Sequence, residues 1–224
     1  LFTYPLAKAL VVQTQEVLKN YPALLKKNAH VIPNFVSISP GNTKGQKRKQ
    51  VITGMGRLTH QKGFDILISA FSKIAPDYPE WSLEIWGQGP EDNKLRDLIK
   101  AQGLGNSVFL KGFSKDVAKI MHSTGIFVLS SRYEGFPNVL IEAMACGAPV
   151  ISTRCPSGPQ EIIEQGANGV LIPVGDPNTL AEKIQSLIDN PARREAMGKK
   201  ASEDMKNYTP ECIIPRWEAL ICAE

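Results

Sequence analysis

Val51-Ile52-Thr53 runs directly into Gly54-Met55-Gly56-Arg57-Leu58-Thr59-His60-Gln61-Lys62-Gly63 and then into Phe64–Ile74: an apolar run, a loop carrying glycines and cations, and a segment of helical period. In that last segment Ile66, Ile68 and Phe71, with Leu67 and Ala70 beside them, form one apolar face. The succession repeats downstream. Strands read at 83–86, 108–110, 126–129, 150–152 and 170–172, and helices at 91–101, 116–122, 138–145, 159–165, 179–188 and 193–206, with a last helical segment at 217–221. Several strands are apolar without alternation, the mark of a sheet covered on both faces. Such strands, alternating with helices, predict an α/β fold: a Rossmann-like parallel sheet with helices on both faces and right-handed crossovers. Upstream, 9–12 reads as a buried strand, 15–20 as a helix, and Val31-Ile32-Pro33 as extended chain before a turn at Asn34.

Composition narrows the partners. The chain has 224 residues, 42% of them hydrophobic, and a formal net charge of +4. A sizeable core can be buried, while the charge falls short of a dedicated DNA binder, so no nucleic-acid partner is expected. Cys146, Cys155, Cys212 and Cys222 lie far apart without a Cys-x-x-Cys pair, and His30, His60 and His122 are equally scattered. Neither a disulfide framework nor a metal site is expected, and the pattern suits a reducing, cytoplasmic setting. No apolar run approaches the roughly 20 residues that span a bilayer. The start, with Lys8 as its single charge, does not read as a secretory signal. Beginning at Leu1 rather than methionine, the chain is expected to be a fragment or trimmed product. The polar run from Pro40 to Lys49 carries Lys44, Lys47, Arg48 and Lys49. A solvated surface loop is its first reading, and peripheral contact with anionic lipid at the inner membrane face its second.

In a doubly wound sheet, ligands sit where the carboxyl ends of strands lead into helices. Four loops there stand out. The loop from Gly54 to Gly63 brings Arg57 and Lys62 near helix-terminal N–H groups, which suits a diphosphate as well as a surface turn with two solvated charges. Tyr133-Glu134-Gly135-Phe136-Pro137-Asn138-Val139-Leu140-Ile141-Glu142 opens a helix: Pro137 suits its first position, Asn138 a cap, and the N–H groups of Val139 and Leu140 are expected to face the strand ends. Glu134 before the helix and Glu142 one turn above Asn138 can border one pocket, where ionised carboxylates would accept from sugar or ribose hydroxyls. The alternatives are a solvated loop residue and an acid favoured by the helix dipole. In Lys111-Gly112-Phe113-Ser114, Phe113 suits core packing as well as a ligand contact. Cys155-Pro156-Ser157-Gly158-Pro159-Gln160-Glu161 reads first as a turn and helix start, and second as a ligand contact.

Together, Gly56-Arg57-Leu58 with Lys62-Gly63, Gly87-Gln88-Gly89-Pro90, and the run from Glu134-Gly135-Phe136-Pro137 through Glu142-Ala143-Met144-Ala145-Cys146-Gly147 to Val150 resemble the retaining glycosyltransferases of the GT-B fold, often numbered family 4. Seven residues separate Glu134 from Glu142, as in that family's paired-glutamate signature. The resemblance implies that Arg57 and Lys62 grip the donor diphosphate, with Gly56 beside them. It implies that Glu134 contacts the transferred sugar, that Glu142 holds the ribose hydroxyls, and that the backbone of Gly135, Phe136, Pro137, Asn138, Val139 and Leu140 lines sugar and phosphate. Gly112 and Phe113 fall where the family lodges the nucleobase. A UDP-sugar donor, no resident cofactor, and a glycan or lipid-linked acceptor are implied likewise.

The resemblance also divides the chain. Residues 1–37 match the end of an N-terminal acceptor domain and its crossover, 38–49 a linker, 50–206 the donor-binding domain, and 207–224 a helix returning to the first domain. On this reading the polypeptide is the C-terminal half of a GT-B fold, binds donor, and transfers little alone. Fixed cations and N–H dipoles would stabilise the leaving diphosphate without a metal, in keeping with the lack of an Asp-x-Asp motif. A nucleotide-sugar epimerase and a non-catalytic nucleotide-binding or interaction module are the competing readings.

Overall fold

The computed structural model describes residues 7–37 and 48–222. A small leading unit pairs strand β1 (Leu10–Val12) in parallel with β2 (Ala29–Val31), connected by helices α1 (Gln15–Lys19) and α2 (Ala23–Lys26). The main body is a parallel sheet of six strands: β3 (Val51–Met55), β4 (Ser82–Trp86), β5 (Val108–Gly112), β6 (Ile126–Leu129), β7 (Val150–Thr153) and β8 (Val170–Ile172), in the order β5-β4-β3-β6-β7-β8. The chain winds outward from β3 to β5, returns to lay β6 on the free side of β3, and winds outward again. A switch in winding direction therefore falls between β3 and β6.

Both faces are covered. Ile52, Leu83, Ile85, Val128 and Ile151 pack on one side, with the apolar faces of α3 (Phe64–Ile74), α4 (Asp92–Ala101) and α8 (Pro177–Ile188). Phe127, Leu129, Val150 and Leu171 point the other way, onto α6 (Asn138–Ala145), Met121 of α5 (Val117–Ser123) and Ala201 of α9 (Pro191–Asp204). Seven of the eleven residues of α3 are buried, so tertiary packing rather than propensity holds it. The chain closes with α10 (Pro210–Ile221), which starts on a proline at its first position and tolerates Pro215 within it.

Some boundaries differ from the sequence reading. Helix α7 (Pro159–Ile162) stops short of Gln165 because Asn168 intercepts it: its buried amide accepts from Glu164 N–H (2.8 Å) and donates to the Ile162 carbonyl (3.3 Å) and to Asp204 (2.8 Å). Helices α8 and α9 start two residues earlier than read, at Pro177 and Pro191, each preceded by a capping side chain, Asp176 and Asn190. Helix α2 was not foreseen.

Lys44 and Lys47 lie outside the described residues. Arg48 does not belong to a solvated cationic loop. Its guanidinium donates to the carbonyls of Met121 (2.9 Å), His122 (3.1 Å), Thr124 (3.0 Å) and Cys146 (2.6 Å), at the carboxyl ends of α5 and α6. Burial lowers its pKa, yet a cation at two helix ends is well placed. Arg48→Met is expected to cost about 2 kcal/mol through unsatisfied carbonyls, read as a lower denaturant midpoint with unchanged slope.

Candidate functional site

The loops after β3 and β6 meet at the winding switch. The β3 loop ends in a 3-10 turn, His60–Lys62, and Gly63 at φ 63°. A Cβ on Gly63 would stand 2.2 Å from the Ser130 carbonyl oxygen, so only glycine allows this approach. Ser130 Oγ donates to the Lys62 carbonyl (2.9 Å), and Arg132 N–H to the Gln61 carbonyl (2.7 Å). Arg132 also grips both oxygens of Asp65 (2.9 and 2.7 Å), a fork-on-carboxylate pair that holds the Asp65 pKa down. From behind, the β4 loop braces the β3 loop: Leu58 N–H donates to the Gln88 carbonyl (2.9 Å), and a Cβ on Gly87 would lie 1.8 Å from the Gly56 carbonyl oxygen. The Gly87-x-Gly89 motif thus supports the loop.

This clamp delivers Lys62 Nζ to Glu134 Oε1 at 2.7 Å, with the two side chains only 17% and 5% exposed. Ser131 Oγ donates to the same oxygen at 2.5 Å. No donor reaches Glu134 Oε2 among the described residues. Arg57 stands exposed on the same loop, its guanidinium unpaired among the described residues. Lys62 and Glu134, far apart in sequence, are thereby brought together.

The start of α6 differs in detail. Pro137 occupies the cap position and Asn138 the first helical one. The Asn138 side chain does not cap: its Oδ1 accepts from Asn34 Nδ2 at 2.8 Å, after Asn34 Oδ1 has accepted from Gln13. The N–H groups of Asn138 and Leu140 bond the carbonyls of Phe136 (3.0 Å) and Pro137 (2.9 Å), so Leu140 is not available to a ligand, while the N–H groups of Gly135, Phe136 and Val139 have no acceptor among the described residues. Gly135 is exposed in the loop before them.

Glu142 lines a cavity of about 470 Å³ with Asn34, Ser37, Asn138 and Trp217, against the chain that leaves the leading unit; Glu134 is not among its lining residues. Burial raises the Glu142 pKa. At the end of β5, Gly112 at φ 72° accepts from Gly87 N–H (2.8 Å). Phe113 is 67% exposed, which removes the core-packing reading.

Ser131 was missed as a contributor, and Ser157 and Glu161 lie in the fourth loop, read first as structural. Ser157 Oγ donates to the Glu134 carbonyl at 2.5 Å. Ser131 stands three residues before Glu134 and could have been suspected; the loop of Ser157 and Glu161 stood out, but no local signal names their partners. Cys146, its thiol pushed up to about 12 by burial, and Cys155 are buried, and among the described residues no three His, Cys, Asp or Glu side chains gather as a metal set. Among them, too, no helix is long and apolar enough to cross a membrane.

A doubly wound parallel sheet with charged loops at its switch point is a ligand-binding α/β architecture. Residues 38–204 match the model of the glycosyl transferases group 1, and the chain belongs to that family. It is 35% identical to an exopolysaccharide phosphotransferase of Streptomyces coelicolor over 96% of this chain and 23% of that protein. It is 30% identical to the amylovoran biosynthesis glycosyltransferase AmsD of Erwinia amylovora over 98% of this chain and 64% of that one. The chain thus spans less than two thirds of these curated relatives. A structure of S. aureus TarM with fondaparinux, α-GlcNAc-glycerol and UDP superposes with a TM-score of 0.89 at 26% identity, covering 99% of this chain and 45% of TarM. The fold also matches Anabaena HepE in complex with UDP, with a TM-score of 0.86 at 23% identity over 97% of this chain and 64% of HepE. The six-stranded sheet and its helices are those of GT-B glycosyltransferases.

Proposed function

We propose that this chain is the donor-binding part of a retaining glycosyltransferase, one that moves a sugar from a UDP-sugar to a glycan or lipid-linked acceptor. The observation that carries the reading is the contact of Lys62 with Glu134 across the winding switch. A diphosphate arriving there competes with Glu134 for Lys62 and recruits the unpaired Arg57, while the Val139 amide offers a third donor. Negative charge growing on the leaving diphosphate is stabilised by groups already in place. Glu134, still held by Ser131, keeps Oε2 for a hydroxyl of the sugar. Residues 7–37 and α10 belong on this reading with an acceptor domain, and the chain alone binds donor without appreciable transfer. Calorimetry of the chain with UDP, UDP-sugars and GDP-sugars tests the reading; absence of heat with every one of them overturns it.

The ribose assignment of Glu142 has its own test. An ionised carboxylate accepts from a diol, and a protonated one accepts less well. Because burial raises the Glu142 pKa, affinity for UDP is expected to fall with acidification at a pH above the ordinary carboxylate range. In Glu142→Gln that step disappears and affinity at neutral pH drops about three- to tenfold. Comparing the two proteins cancels titration of the phosphate. Superimposable pH profiles would remove Glu142 from the site. For stability the sign is opposite: a carboxyl with a raised folded-state pKa favours the fold below its unfolded pKa, and that contribution is lost as pH rises through the folded value.

A further inference from the structure

The donor site leaves one connection unused. The Glu161 carboxylate accepts from Gln15 N–H at 2.8 Å and Glu16 N–H at 2.9 Å, across 146 and 145 residues. These are the first amides of α1, which have no acceptor within their own helix. Thr14 caps only the Val17 amide (3.2 Å), so Thr14 and Glu161 divide the first-turn donors between them. The loop leading to Glu161 touches the other side of the molecule's chemistry. Ser157, the one non-glycine residue at positive φ (58°) among the described residues, donates to the Glu134 carbonyl at 2.5 Å. Next to it, a Cβ on Gly158 would stand 2.5 Å from Pro137 Cδ. One short segment thus holds the leading unit at Glu161 and the Glu134 loop at Ser157.

We infer that Glu161 is a positioning residue that couples the unit of residues 7–37 to the loop bearing Glu134, so that the sugar-holding carboxylate is set by the alignment of the acceptor-side unit. The inference rests on the donor reading only for what the coupling serves; the coupling itself is a property of the chain. Glu161 is exposed, so its bonds are exchanged with water and the effect is a modest one.

Gln15→Pro isolates the contact. Proline is favoured at the first helical position, and Thr14, at φ −141° and ψ 152°, already has the extended backbone that precedes proline. The change deletes one N–H donated to Glu161 and leaves every side chain of the main body intact. In hydrogen exchange on the 224-residue chain, Gln15→Pro and Glu161→Ala are each expected to speed exchange of the Asn138 and Leu140 amides by about threefold or more. In a Ser157→Ala background, Gln15→Pro adds nothing further. Unchanged exchange at Asn138 and Leu140 in Gln15→Pro overturns the coupling, as does an undiminished effect in the Ser157→Ala background. Calorimetry with UDP and UDP-glucose separates the two readings. If the unsubstituted chain binds neither, the donor reading fails while the exchange data still decide the coupling.

Discussion

Replacing Arg57 and Lys62 together by alanine is expected to weaken UDP binding by about 10²–10⁴-fold, because each charge-assisted bond to phosphate contributes roughly 1.5–3 kcal/mol. The two residues should separate by their side effects. Arg57 is exposed and unpaired among the described residues, so Arg57→Ala is expected to lower affinity without touching stability. Lys62 is the counter-ion of a carboxylate only 5% exposed. Lys62→Ala is therefore expected to lower affinity and also to destabilise the fold by about 2 kcal/mol, since it strands that charge on Ser131 alone. Glu134→Gln supplies the opposite sign. It keeps an acceptor for Ser131 and releases Lys62, so UDP is expected to bind no more weakly, and about threefold more tightly if the pair competes with phosphate. Calorimetry with thermal unfolding of the same proteins reads both quantities. Affinity unchanged in the double variant would remove the diphosphate from this loop.

The architecture was legible because the strands are short apolar runs fenced by breakers. Strands β6 and β8 and helices α3 and α6 have the boundaries read from periodicity alone. Elements whose limits depend on distant side chains were misread: α7 is cut short by Asn168, which is itself tied to Asp204, and nothing in residues 159–165 announces that. The site shows the same division. Two cations and Glu134 could be picked out as residue types in loops at strand ends, and Glu142 on the helix that follows. That Glu134 takes Lys62 depends on the return of β6 to β3, a long-range pairing with no local mark. Asn138 looked like a cap because capping is a local habit of asparagine; Asn34, 104 residues away, claims it instead. Arg48 looked solvated because its neighbours are polar, whereas the free carbonyls of two helices converge on it.

The close approach of the β3 and β6 loops at Gly63 gives the other large effect. Gly63→Ala is expected to destabilise the chain by about 2–5 kcal/mol. Placing an L-residue in the left-handed region costs about 1–2 kcal/mol, and overpacking commonly adds about 1–3 kcal/mol. The overlap here is with backbone, the Ser130 carbonyl 2.2 Å from the new Cβ, and not with a side chain that could turn aside. Relief therefore requires the β3 and β6 loops to separate, which lengthens the Lys62–Glu134 contact. Binding of UDP should fall along with stability, even under conditions where the variant remains folded. Gly105→Ala is the control: among the described residues no atom beyond its chain neighbours lies within 4 Å of its Cβ and its φ is unexceptional, so both quantities should hold. A folded Gly63→Ala protein with normal UDP affinity would mean that the donor is held without the convergence of these two loops, and the site would have to be sought elsewhere on the sheet.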